Sequence, residues 1–264
     1  MRTNVLSVAN QKGGVGKTTT AVNIALFTSE FGFKTLLIDL DPQANATSGI
    51  GINTDSIKHS IYDVISNDEK IEDCIYPTPF ENLHLLPSSA HLAGAEVELS
   101  QAVSRETILK QRLSNVIDSY DYVIIDCPPS LSLLTLNAFS FTNQLIIPVQ
   151  CEYYALEGLA KLLNTVQLIK ERLNPSLEIL GIVLTMFDRR TSLNRQVVNN
   201  AKNHFKELIF DTIIPRNIRL AEAPSFGLPI ALYEPKSSGS IAYYNLTKEV
   251  MNRVNSTKSI RERA

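Results

Sequence analysis

Short apolar runs alternate with longer stretches of helical period along nearly the whole chain. The runs at residues 5–9, 35–38, 83–87, 122–125, 145–149 and 179–185 are largely apolar on both strand faces, which predicts strands buried in a parallel sheet. Between the first two, Ala21, Ile24, Ala25, Thr28 and Phe31 recur at helical spacing, and Gly32 supplies a stop. Residues 93–100 and 106–117 repeat apolar positions three and four apart, as do Leu159, Leu162, Leu163, Val166 and Ile169 ahead of Asn174-Pro175. A helix is also expected at 61–65, a polar turn at 67–70, a closing helix at 240–254 and a frayed polar tail at 255–264. Strands alternating with helices predict an α/β fold in one domain spanning residues 1–264: a doubly wound, mostly parallel sheet with helices on both faces.

A glycine-rich segment breaks the pattern directly after the first run. In Lys12-Gly13-Gly14-Val15-Gly16-Lys17-Thr18-Thr19 the glycines let successive backbone N–H groups turn inward around a polyphosphate. Lys17 would neutralise its charge and the Thr18 hydroxyl could ligate Mg²⁺. The helix expected over 19–31 would aim its positive end at the same anion. The general phosphate-loop pattern is not strictly met, because Gln11 stands where its first glycine belongs and a second lysine, Lys12, follows.

Two of the strand ends carry carboxylates. The second run leads into Asp39-Leu40-Asp41-Pro42-Gln43-Ala44-Asn45, where Pro42 stops sheet pairing, so that Asp39 and Asp41 project from the edge where the loop lies. The fourth leads into Asp126-Cys127-Pro128-Pro129 and brings a third carboxylate to that edge, suited to holding a Mg²⁺-bound water.

Charge changes the picture only locally. A formal net charge of -2 gives the whole molecule no electrostatic reason to bind nucleic acid. Residues 189–219, however, hold seven basic side chains against two acidic ones, a net +5 that leaves -7 on the rest. On the helix expected after Thr191, Leu193, Val197, Ala201, Phe205 and Leu208 form the core face. Arg195, Asn199, Lys202 and Lys206 then recur at i, i+4, i+7 and i+11 along one exposed stripe. Cys74, Cys127 and Cys151 lack metal or disulfide spacing and read as small buried residues, and the four histidines are scattered without ligand spacing. No apolar run approaches the ~20 residues that span a bilayer, and Met1-Arg2-Thr3-Asn4 leads straight into a strand rather than a signal-peptide core, so a cytoplasmic protein is expected.

Together these motifs resemble the ParA/Soj family of partitioning ATPases, in the deviant Walker A class that also holds MinD. D-x-D-P-Q-x-N is similar to that family's first switch region and I-I-D-x-P-P to its second. Residues 213–227, Ile-Ile-Pro-Arg-Asn-Ile-Arg-Leu-Ala-Glu-Ala-Pro-Ser-Phe-Gly, resemble a segment of the Soj branch. The resemblance implies a P-loop NTPase domain that uses ATP and Mg²⁺, with Lys12, Lys17 and Asp41 as its catalytic residues. Lys12 would reach across a dimer interface to the partner's nucleotide, and Asp41 would orient the attacking water. Lys12, Gly13, Gly14, Val15, Gly16, Lys17, Thr18 and Thr19 would hold the phosphates, Pro215 and Asn217 the adenine, and Thr18 and, through water, Asp126 the metal.

The same resemblance implies an ATP-dependent homodimer that binds double-stranded DNA non-specifically. Arg190 and Arg219 would lead that contact, supported by Arg195, Lys202 and Lys206. Slow hydrolysis would be stimulated by a ParB-type partner, with the protein associated with the nucleoid and not with a membrane. The start of the chain at its first strand, with no helix-turn-helix before it, resembles the short chromosomal type. Two rival readings are a MinD-like membrane-associated regulator, disfavoured by a tail whose one large apolar residue is Ile260, and a metabolic enzyme of this loop class that activates a carboxylate with ATP.

Overall fold

Each of the six apolar runs becomes a strand, because a run without charge can be buried on both faces of a sheet. A computed structural model describes residues 3–66, 69–152 and 155–261. The strands are β1 (Asn4–Val8), β2 (Thr35–Asp39), β3 (Tyr76–Pro77), β4 (Leu83–Leu86), β5 (Tyr122–Asp126), β6 (Gln144–Gln150) and β7 (Glu178–Thr185). They form one sheet in the order β3-β4-β2-β5-β1-β6-β7. All neighbours run parallel except the short edge strand β3, which is antiparallel to β4. Pro77 is tolerated there because an edge strand can lack one ladder donor.

Helices cover both faces, as the alternation predicted. They are α1 (Lys17–Glu30), α2 (Asn45–Gly49), α3 (Ile61–Ser66), α4 (Leu92–Leu99), α5 (Ile108–Leu113), α6 (Leu133–Phe141), α7 (Ala155–Arg172), α8 (Ser192–Phe205), α9 (Ile218–Glu222), α10 (Ile230–Tyr233) and α11 (Ser238–Arg261). One core layer joins α1 and α11 to the sheet through Ala21, Ile24, Tyr243, Leu246 and Val250. The other gathers Leu92, Leu109, Leu134, Phe139, Leu162, Val166 and Ala201 on the opposite face.

The structure departs from the sequence expectations at five points. Helix α6 was not predicted, because its polar residues are buried and its pattern has no period. Asn137 donates to the Arg105 carbonyl at 2.7 Å and accepts from the Leu109 N–H at 3.0 Å, and the Thr135 hydroxyl donates to the Ser130 carbonyl. The helix expected over 106–117 stops at Leu113, followed by a 3₁₀ turn at Ile117–Ser119. On α8, Leu193 is 46% exposed and Val198 is buried in its place. That helix also ends at Phe205, where Lys206 takes a positive φ of 44°, so Lys206 leaves the basic stripe. Finally α11 runs on to Arg261, seven residues past the expected end at 254. The polar turn at 67–70 lies partly outside the described residues, as do residues 262–264 and the side chain of Ile260.

Candidate functional site

Between Val8 and Lys17 the chain turns back on itself through residues that only glycine accommodates. Gly14 and Gly16 have φ of 73° and 91°, a region strained for any L side chain. Two contacts fasten this loop to β6 and to the end of β7, and a third braces it internally. Asn10 Nδ2 donates to the Pro148 carbonyl at 2.7 Å, and the Lys12 N–H donates to Asn10 Oδ1 at 3.0 Å. The Thr185 hydroxyl donates to the Val15 carbonyl at 2.9 Å. Helix α1 starts at Lys17 rather than Thr19, with no side-chain cap and no acidic residue in its first turn. Its first N–H groups and positive dipole end are therefore available to an anion.

The two loop lysines differ sharply. Lys17 is 7% exposed, and its ammonium donates to the Lys12 carbonyl at 3.1 Å. Burial lowers its pKa, against the opposing pull of Asp126 and Asp41. Lys12 points outward, and its ammonium meets Glu152 Oε2 at 2.6 Å.

Asp39 and Asp126 face each other in register on β2 and β5. Burial first, then the charge of Asp39, raises Asp126 well above the usual carboxylate range, although Thr18 and Lys17 beside it pull the other way. Both of its oxygens are buried with no hydrogen-bond partner among the described residues. An orphaned carboxylate beside a hydroxyl fits a hard cation such as Mg²⁺, which keeps several waters and takes phosphate oxygens as further ligands. Among the described residues no group of three or more His, Cys, Asp or Glu forms a cage for a metal by itself. Asp39 has a different task. It accepts from the Thr47 N–H at 2.8 Å, the Thr47 hydroxyl at 2.7 Å and the Asp41 N–H at 3.2 Å, and so ties α2 to the end of β2. Burial still pushes its pKa up to about 6. Asp41 is 8% exposed, and its carboxylate accepts only from the Gln43 N–H, at 3.0 Å, among the described residues.

Beside the loop lies a cavity of about 580 Å³ bounded by Gly16, Thr19, Met186, Pro215, Asn217 and Tyr243. Its position against the loop and its mixed lining suit a nucleoside base and sugar. Pro215 and Asn217 thus come together with the phosphate loop. The Asn217 side chain also caps α9, accepting from the Arg219 N–H at 2.8 Å and donating to the Ser238 hydroxyl at 3.0 Å.

The segment before Pro215 joins the sheet through an isolated bridge between Phe187 and Pro215. Hydrogen bonds from Phe187 N–H to Ile214 and from Arg216 N–H to Phe187 zip this segment to the end of β7. Arg190 and Arg219 therefore come from adjoining segments at the ligand edge of the sheet, and each is paired. The Arg190 guanidinium meets both oxygens of Asp188, at 2.9 and 2.7 Å, and holds that carboxyl well below its usual range. Arg219 bonds Glu222 at 2.8 Å, and the Tyr233 hydroxyl shares that carboxylate. Arg195 lies in the first turn of α8 near this edge. Lys202 is about 10 Å further along the helix axis at 1.5 Å per residue, and Lys206 lies beyond the helix end. The three thiols are buried and their pKa values raised, that of Cys151 to about 12, so none is a poised nucleophile.

The family described as AAA domain matches residues 3–179. Sporulation initiation inhibitor protein Soj of Bacillus subtilis is 51% identical over 246 residues, 93% of this chain and 97% of that protein. Chromosome partitioning protein ParA of Myxococcus xanthus is 49% identical over 259 residues, 98% of this chain and 91% of that one. Among solved structures, cobyrinic acid a,c-diamide synthase from Mycobacterium smegmatis, with a bound ATP analogue and magnesium, matches with a TM-score of 0.85 at 36% identity and covers 97% of both chains. Fold and loop together define a P-loop nucleoside-triphosphatase domain of the deviant Walker A class. The chain belongs to the ParA/Soj family of chromosome-partitioning ATPases.

Proposed function

We propose that this chain is an ATP-controlled partitioning switch, paired by ATP and separated by its hydrolysis. The observation that carries the reading is the contrast between two lysines of one loop. Lys17 is buried against its own loop, whereas Lys12 stands at the rim with its ammonium outward. A buried lysine can hold a phosphate; an outward one can reach a nucleotide on a second subunit. Lys17 and the first N–H groups of α1 bind the phosphates, while Pro215 and Asn217 border the base. Mg²⁺ would be held by Thr18 and, through water, by Asp126, and would neutralise phosphate charge; the solved diamide synthase carries an ATP analogue and magnesium. The partner's Lys12 completes neutralisation in trans, and Asp41 orients the attacking water.

Pairing places two copies of the basic surface on one duplex, so phosphate contacts at Arg190, Arg219 and Arg195 act together and DNA affinity rises above that of the monomer. Lys202 and Lys206 contribute less, being set further along α8 or beyond it. Hydrolysis then releases the DNA, and a ParB-type partner speeds that step. This activity assigns the protein to the cytoplasm and nucleoid, and no helix among the described residues is long and apolar enough to cross a membrane.

The direct test is a mobility shift of non-specific duplex DNA, expected with ATP and absent with ADP. ATP turnover without any shift would favour the second reading, ATP-driven activation of a carboxylate, to which the diamide synthase likeness points. Two variants separate the steps. Lys12→Ala is expected to bind ATP within a few-fold of wild type yet remain monomeric by light scattering. Arg219→Glu is expected to dimerise normally while losing at least tenfold in DNA affinity at low salt, since it removes one phosphate contact from each subunit and adds a repulsive charge. Undiminished DNA binding would move the contact surface away from α9.

A further inference from the structure

The Lys12 ammonium is held by its own subunit. Its partner, Glu152, is 140 residues away in sequence, and the two side chains are 47% and 52% exposed. Both ends of this pair are anchored through backbone. On one side, the Lys12 N–H is bound to Asn10 Oδ1 and its carbonyl accepts from Lys17. On the other, Glu152 follows Cys151, whose N–H donates to the Thr185 carbonyl at 3.0 Å and whose carbonyl accepts from Asn194 Nδ2 at 2.8 Å. The Glu152 N–H donates to the Gln150 carbonyl at 2.7 Å. Thr185 is also the residue that fastens the loop through Val15, so one anchor fixes both partners. Among the described residues the Glu152 carboxylate has no other hydrogen-bond or ion-pair partner.

We propose that Glu152 is a positioning residue for Lys12. It retains the ammonium on its own loop, so that the partner's nucleotide must compete for it before a dimer can form. The inference rests on the reading of Lys12 as acting across the dimer. The ammonium cannot be paired with Glu152 and delivered to the other subunit at once. A triphosphate outbids one carboxylate more readily than a diphosphate does, and the cost of releasing the pair raises the dimer dissociation constant. An exposed ion pair changes an equilibrium by about two- to fivefold. A two-fold symmetric dimer releases two such pairs, so the dimer dissociation constant is affected by the square, about four- to twenty-fivefold.

The test is the dimer dissociation constant of Glu152→Gln with ATP, by sedimentation at low and raised salt, with Glu152→Ser as a second variant lacking the carboxylate. Both replace a half-exposed side chain, and unchanged melting checks their fold. The expected result is a dimer tighter by about four- to twenty-fivefold at low salt, with an advantage that shrinks as salt screens the wild-type pair. A merely structural Glu152 would not give that salt dependence. Equal or weaker dimerisation of Glu152→Gln, with Lys12→Ala monomeric, overturns the proposal alone. If Lys12→Ala dimerises like wild type, the trans reading of Lys12 falls and this proposal falls with it.

Discussion

Lys17→Ala is expected to weaken ATP binding by about 10²–10³-fold, the equivalent of removing one partner from a buried ion pair. The side chain is 7% exposed, and its ammonium is held against the loop by the Lys12 carbonyl, so it is already aimed at the space the loop encloses. Water cannot replace it there without re-ordering the loop, and the remaining N–H groups of α1 carry only a partial charge. Folding should respond quite differently. Burial lowers the pKa of Lys17, which means that the charged amine opposes folding at neutral pH. Its loss offsets the packing of the missing stem, and the melting temperature of the nucleotide-free variant should stay near that of wild type. Calorimetric titration with ATP at fixed Mg²⁺ reads the first quantity and thermal melting the second. An affinity within threefold of wild type would remove Lys17 from the phosphate site.

The parts of this site that a reader of the sequence can find are those written in consecutive residues. The loop, Asp39-Leu40-Asp41 and Asp126 each follow a strand directly, so the strand end itself delivers them to the ligand edge. Asn10, Thr185 and Glu152 are different. Their contacts join positions 138, 170 and 140 residues apart, and nothing local marks them before β6 and β7 are placed beside β1. Charge counting misled in another way. The segment 189–219 carries a net +5, yet the carboxylates paired with Arg190 and Arg219 are Asp188 and Glu222, just outside its two ends. The basic surface is therefore less positive than its side chains counted singly. Lys206 failed for a backbone reason, since helical spacing has no meaning past a residue with positive φ. Helix α6 escaped because a buried polar residue that is satisfied inside looks, in sequence, like an exposed one.

Asp41→Ala is expected to lower ATP turnover by about 10²–10⁴-fold, the range for removing a residue that positions or deprotonates a nucleophile. ATP affinity should change little. The expectation depends on separating two aspartates that the sequence presents as a pair. Asp39 carries the architecture: three donors converge on it, and the Thr47 hydroxyl that binds it also accepts from the Ser88 N–H at 3.1 Å. Asp39→Ala would leave those buried donors unpaired at a cost of about 1–3 kcal/mol and loosen α2, so its activity would be lost together with stability. The Asp41 carboxylate holds one N–H, that of Gln43, at the rim of the same turn. Its removal should leave the melting temperature close to wild type while hydrolysis stops. A dimer that binds ATP and cannot hydrolyse it stays on DNA, so DNA complexes of Asp41→Ala should outlive wild-type ones by roughly the factor lost in turnover. Single-turnover hydrolysis and DNA dissociation, measured on one preparation, test both halves. Unchanged turnover would take Asp41 out of the chemistry; slow turnover with normal DNA release would show that hydrolysis does not time the exit from DNA.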